Sequence, residues 1–197
     1  MKRVILSFFL VAFLAACGAE PVWAPEEEIR AKAYSDNGPA TLTLITVINN
    51  RSGAGGHTGL LINGSQRVIW DPAGTWWSPN APERNDLHYG MTDRMVDVYI
   101  DYHTRETYRT VLQEIQVSPE VAELAIKEAA AYGAAPKAYC SLSTTTILNR
   151  LPGFENMKTT FFPVKVMEAF AKLPGVKTRT VYDDDPDDNT AKLPGGA

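Results

Sequence analysis

Cysteine is almost missing from this chain: 197 residues contain Cys17 and Cys140 and no others. A disulfide-stapled scaffold is therefore excluded. No apolar run reaches the roughly 20 residues that a helix needs to cross a bilayer core; the longest, Val4 to Leu14, is about half that. There is no Gly-x-Ser-x-Gly elbow, which disfavours a serine hydrolase. Positive charge is not in excess either, with 19 Lys and Arg against 23 Asp and Glu. Nucleic acid is thus not an expected partner. No internal repeat is visible, and the length suits one core rather than two.

What is present begins at the N-terminus. Lys2 and Arg3 precede the apolar run, and the small residues Ala15 and Ala16 lead into Cys17, the order of a secretory signal peptide. Leu14-Ala15-Ala16-Cys17 resembles the lipobox of bacterial lipoproteins, which implies that residues 1–16 are removed and that Cys17 becomes an acylated first residue. Several acyl chains on one residue anchor a protein stably. The mature chain would then carry 17 basic against 23 acidic side chains, a net charge of −6, on the periplasmic side of a membrane. Gly18 is not the aspartate that retains many lipoproteins at the inner membrane, so the outer membrane is the expected site. Residues 17–40 read as the lipidated end and a tether, residues 41–185 as the folded domain, and residues 186–197 as a polar tail.

Within the domain, Thr41 to Asn49 is a β-branched run expected to form a buried strand. His57 to Ile62 and Gln66 to Trp70 flank Asn63-Gly64-Ser65 and predict a hairpin. Gly74 to Asp93 is expected to be a long irregular loop, and Val96 to Tyr102 with Tyr108 to Val117 a second hairpin. Ser118 and Pro119 open a helix that Gly133 ends; further helices are expected from Tyr139 to Arg150 and from Pro163 to Lys172, with a last strand at Lys177 to Tyr182. The fold class is α+β, a mostly antiparallel sheet with two or three packed helices.

If Cys17 carries lipid, Cys140 is the one thiol of an exported protein and has no partner for a disulfide. A bland role as a small buried side chain competes with a chemical one. Cys140 is expected at a helix start, where free amide groups and the dipole favour thiolate. His57, the first residue of its strand beside a Gly-rich loop, is positioned to act as the base for such a thiol. A three-residue hairpin loop would pair Ile62 with Gln66 and set His57 opposite Asp71; a two-residue Asn-Gly turn would put Trp70 there and send Asp71 to the other face. Asp71-Pro72-Ala73-Gly74 is equally a turn sequence. Trp76, Trp77 and Tyr139 are the candidate substrate-binding residues. Ser52 to Gly56 is Gly-rich but leads into a strand, which leaves no helix N-terminus for a nucleotide phosphate. The aspartates from Asp183 to Asp188 lack the glycine and terminal glutamate of an EF-hand loop. Neither a cofactor nor a metal is expected.

The strand His57-Thr58-Gly59-Leu60-Leu61-Ile62, the strand ending in Trp70-Asp71 and the later helix opening Tyr139-Cys140-Ser141-Leu142 resemble the circularly permuted branch of the NlpC/P60 papain-like superfamily. The similarity spans about residues 41–150. It implies a Cys140 nucleophile, a His57 base and a polar orienting residue at the position of Asp71, where members often have histidine. It also implies a hydrolase or acyltransferase acting on an amide or ester of cell-wall peptide or lipid, and a monomer is expected. A non-catalytic binding or structural lipoprotein on the same fold is the alternative.

Overall fold

The computed structural model describes residues 18–188. The leader, the acylation expectation for Cys17 and the end of the polar tail lie outside them. Strands β1 (Thr41–Asn49), β2 (Gly55–Asn63), β3 (Arg67–Trp70), β4 (Glu83–Arg84), β5 (Leu87–His88), β6 (Tyr108–Gln116) and β7 (Lys177–Val181) form one antiparallel sheet in the order β4-β5-β3-β2-β1-β6-β7. The helices are α1 (Glu26–Lys32), α2 (Asp93–His103), α3 (Pro119–Tyr132), α4 (Cys140–Leu148) and α5 (Pro163–Phe170). The class is α+β, as the sequence implies, with five helices among the described residues. None of them is long and apolar enough to cross a membrane.

β1 is an interior strand, between β2 and β6, and is buried from Leu42 to Ile48, which explains its mostly apolar, β-branched run. One face of the sheet, through Leu42, Leu44, Leu60 and Trp70, packs on α3, α4 and α5 by way of Ala125, Leu148 and Phe170. The other face, through Ile45, Ile69 and Leu112, meets α2 at Met95, Tyr99 and Ile100. A helix therefore covers each side of β2, and this places the ends of α2 and α4 about one strand.

Three sequence expectations are corrected. Val96 to Tyr102 is not a strand but the body of α2, capped by the Thr92 hydroxyl, which accepts the Met95 N–H at 3.2 Å. Alternation at Val96, Val98, Ile100 and Tyr102 competes there with a helical spacing at Met95, Val96, Tyr99, Ile100 and His103. The helix wins because its stripe faces a sheet. Gly74 to Asp93 is not structureless: β4 and β5 extend the sheet beyond β3. Residues 19–36, expected to be a free tether, lie along the domain instead. Ala19 bridges to Pro136 and Trp23 to Arg84, Ile29 is buried in the core, and Trp23 lies beneath the Arg84 guanidinium at 4.6 Å. Backbone pairing holds this segment, and its charged composition gave no periodic signal of that.

Arg67 ties these parts together. Its guanidinium, 8% exposed with the rest of the side chain, donates from Nε to the Met91 carbonyl at 2.8 Å and pairs with Asp36 at 2.8 Å and Asp93 at 2.5 Å. One side chain thus joins the N-terminal segment, β3 and the start of α2. Arg67→Ala removes the ion pair to Asp36 and frees the Met91 carbonyl, and is expected to cost about 2–4 kcal/mol, below the full figure for breaking a buried pair because Asp93 is exposed and Asp36 keeps Asn63 and the Gly38 N–H as donors. Urea unfolding followed by circular dichroism measures this. A loss under about 0.5 kcal/mol, the scale of an ordinary surface change, would refute the clamp.

Candidate active site

His57 owes its aim to an irregularity in β2. Val47 faces His57 across the ladder but Ile48 faces Gly55, so Gly56 is an extra residue and the strand bulges just before the histidine. The hairpin register is neither of those drawn from sequence: Asn63 pairs with Arg67 and Ile62 with Val68, so the loop is Gly64 to Gln66. A shift of two residues preserves the face. Asp71, one residue past β3, continues the ladder opposite Gly59 and reaches His57 on the diagonal, where Nε2 meets Oδ1 at 2.6 Å.

The glycine between them makes room for a third group. A Cβ on Gly59 would lie 2.8 Å from the Tyr99 hydroxyl, and that hydroxyl donates to the same Asp71 oxygen. Asp71 is 2% exposed and its Oδ2 has no hydrogen-bond partner. Gly74 closes over it, since a Cβ there would fall 1.9 Å from Oδ2. The turn reading and the carboxylate reading of Asp71-Pro72-Ala73-Gly74 are therefore both realised: Gly74 N–H donates to the Asp71 carbonyl at 3.0 Å while the side chain faces His57.

Cys140 is the first residue of α4. The Thr run of this helix is held by hydroxyls bonding back to the preceding turn, Thr145 to the Ser141 carbonyl at 2.8 Å and Thr146 to the Leu142 carbonyl at 2.7 Å. Its buried face is consequently polar at Ser141, Ser143, Thr144 and Thr145, and Leu142 is only half-buried. The Ser141 and Thr58 hydroxyls meet at 2.9 Å and seat the helix on β2 beside His57. The Cys140 sulfur lies 4.0 Å from the Ser141 hydroxyl and close enough to the His57 ring for the imidazole to act on the thiol. Since Asp71 occupies Nε2, the nitrogen left to face sulfur is Nδ1.

Burial works against charge at each of these groups, and the partners prevail. Burial pulls His57 toward neutrality, yet the Asp71 carboxylate and the Cys140 thiol push its value up to about 10. Burial raises the Cys140 thiol, but His57 and the hydrogen bonds to sulfur hold it below its ordinary value. Asp71 is driven up by burial and carried well below the usual carboxylate range by His57. These shifts favour an imidazolium held by the Asp71 carboxylate and a Cys140 thiol that ionises more readily than usual.

Two residues beside the site carried no signal in the sequence analysis because both belong to α2. Tyr99 is one. The other is His103, whose ring lies parallel to that of His57 with centroids 5.4 Å apart and whose Nδ1 meets the Tyr99 carbonyl at 2.9 Å. The i,i+4 spacing of Tyr99 and His103 would have placed both on one helical face had the helix been recognised. Burial drives His103 down to about 4, so it is neutral beside the charged His57. His57, Asp71 and His103 offer ligand atoms within 4.8 Å of one another, but Nε2 of His57 is committed to the carboxylate. Asp101, Asp183 and Asp185 form a second such group, and the buried Arg105 guanidinium pairs with all three at 3.4, 3.6 and 3.4 Å.

Of the expected substrate-binding residues, Trp76 is buried against His88 and Tyr99 with centroids at 5.0 and 5.2 Å, and so belongs to the core. Trp77 and Tyr139 are exposed, and Tyr139 stands directly before Cys140 with its ring edge-on to Phe161 at 5.1 Å. A cavity of about 370 Å³ opens at His57, His103, Gly74, Thr75 and Tyr108. No family model, no curated protein and no solved structure matches this chain.

Two measurements follow from this geometry. Below pH 6.5 the unfolded chain protonates His103 while the folded chain does not until about 4, so stability falls as acid is added; above pH 6.5 the folded chain keeps the His57 proton that the unfolded chain loses, but the lowered Cys140 thiol offsets this until the unfolded thiol itself ionises, so the alkaline loss comes only toward pH 10. Thermal stability should therefore fall below pH 6.5, and His103→Phe should flatten the limb between 6.5 and 4; an unchanged acid limb would show that His103 is not held neutral. Gly59→Ala should push the Tyr99 hydroxyl off Asp71 and cost about 1–3 kcal/mol. A crystal structure of that variant with Tyr99 still bonded to Asp71 would contradict the role given to the glycine.

Proposed function

We propose that this protein is a lipid-anchored cell-envelope cysteine hydrolase or acyltransferase that acts on an amide or ester of cell-wall peptide or lipid, with a permuted papain-like arrangement of the NlpC/P60 type. One observation carries the reading: His57, held by a buried carboxylate through Nε2, lies beside a thiol at a helix start and lowers that thiol's pKa.

In this reading the Cys140 sulfur attacks the carbonyl carbon, and the first-turn amides of α4, which lack intrahelical acceptors, stabilise the oxyanion. His57 gives its Nδ1 proton to the departing amine or alcohol, leaving an acyl group on sulfur. Water or another acceptor then attacks the thioester while His57 takes up a proton, which restores thiolate and imidazolium. Asp71 fixes the tautomer and stabilises the cation, and Tyr99 holds Asp71 in place.

The experiment is to mix the protein with an activated acyl ester, quench in acid and weigh the intact chain. A burst of leaving group and one acyl adduct on Cys140 are expected; Cys140→Ala should abolish both, His57→Ala should slow acylation about 10³-fold, and Asp71→Asn about 10²- to 10⁴-fold. A second reading, a binding protein on the same fold, is favoured by one fact: Cys140 is buried and does not line the cavity at His57. No adduct with any acyl donor, together with full biological function in Cys140→Ser, would establish that reading and end the catalytic one.

A further inference from the structure

The most exposed aromatic side chains near the thiol surround the start of its helix. Phe161 is 50% exposed, Phe162 69% and Tyr139 37%, and the last is the residue that precedes Cys140. Of the seven large hydrophobic side chains exposed among the described residues, five belong either to this rim or to the N-terminal segment. The rim is fixed to both halves of the candidate site. Tyr139 caps the Cys140 helix and packs on Phe161, while Pro163, next to Phe162, fits so closely against Gly55 that a Cβ there would lie 2.5 Å from the proline Cβ. Gly55 begins the strand that carries His57.

The N-terminal segment ends at the same place. Ala19 bridges to Pro136, Glu20 pairs with Lys137 at 2.8 Å, and the Tyr139 N–H donates to the Pro136 carbonyl at 3.1 Å. Cys17 is two residues before Ala19, a span of at most about 7 Å. An acyl anchor on Cys17 therefore cannot stray far from the loop that leads into Cys140.

We propose that the Tyr139–Phe161–Phe162 rim docks on the lipid bilayer, so that the anchor and the start of the Cys140 helix share one membrane-facing side. This rests on the anchored-hydrolase reading and adds an orientation to it: the reacting bond is taken at the membrane surface, not at a distance from it. The attraction is apolar. The mature chain is net negative, so anionic headgroups repel it as a whole, whereas half-exposed aromatic rings partition into the interface whatever the lipid charge.

The test uses the full chain matured in bacterial membranes and reconstituted in phosphatidylethanolamine and phosphatidylglycerol vesicles. A nitroxide is attached at Phe162→Cys in a Cys140→Ser background, and for comparison at Tyr182→Cys, an exposed position just beyond β7 at the opposite edge of the sheet from β4. Collisions with oxygen, which enriches in lipid, and with a nickel chelate, which stays in water, are compared. The label at 162 should show an oxygen-to-nickel ratio roughly tenfold that of the label at 182, at low and high salt alike. With Cys140 present, Phe161→Ser/Phe162→Ser should slow its alkylation by a vesicle-borne hexadecyl iodoacetamide about tenfold and leave that by free iodoacetamide unchanged. Equal nickel access at both labels in a chain whose mass shows acylation would overturn the docking while leaving the anchor standing. A chain without acyl mass would overturn the anchor, and this proposal with it; in either case the thiol chemistry is judged separately, by the free iodoacetamide rate.

Discussion

Asp71 is a carboxylate with almost no contact with water, and a buried anion persists only where cations or donors compensate it. His57 is the cation, at 2.6 Å, and Tyr99 adds a hydroxyl to the same oxygen. Much of the local structure follows from that requirement. The bulge at Gly56 turns His57 toward the carboxylate, the bare Gly59 lets Tyr99 through, and Gly74 folds over the far oxygen. Because the histidine stays protonated to satisfy Asp71, it also faces Cys140 as a cation, and a cation beside a thiol favours thiolate. The charge that stabilises the fold at this point is the same charge that prepares the sulfur.

The scaffold keeps the three groups in register by crowding β2 from both sides. α2 delivers Tyr99 and His103 to one face, and α4 brings Cys140 to the other through the Thr58–Ser141 contact. His103 stays neutral, which spares the site a second buried cation next to His57. Arg67 and Arg105, each buried and each paired with more than one carboxylate, fasten the N-terminal and C-terminal segments to the same domain.

Much of this was legible in the residues, for identifiable reasons. Strand β1, the β2–β3 hairpin and the helices opened by Ser118 and Pro163 carry strong local signals, and these elements form close to where those signals lie. The hairpin register was off by two, a change that keeps side chains on the same face, so His57 and Asp71 still meet. α2 was missed because apolar residues at 96, 98, 100 and 102 alternate as a strand does; only the sheet beneath decides for the helix, and Tyr99 and His103 were lost with it. Trp76 had no local mark of being core. Its partners His88 and Tyr99 come from β5 and α2, distant in sequence. The packed N-terminal segment was hidden for a similar reason, since backbone pairing to Arg84 and Pro136 leaves no trace in composition.

The central claim is that His57 is an imidazolium at neutral pH, held by the Asp71 carboxylate beside the Cys140 sulfur, and nitrogen-15 resonances of its ring report this most directly. Both ring nitrogens should show protonated shifts at pH 7.5 and keep them until the pH nears 10. A neutral ring at pH 7.5, titrating near the ordinary value of about 6.5, would contradict the account.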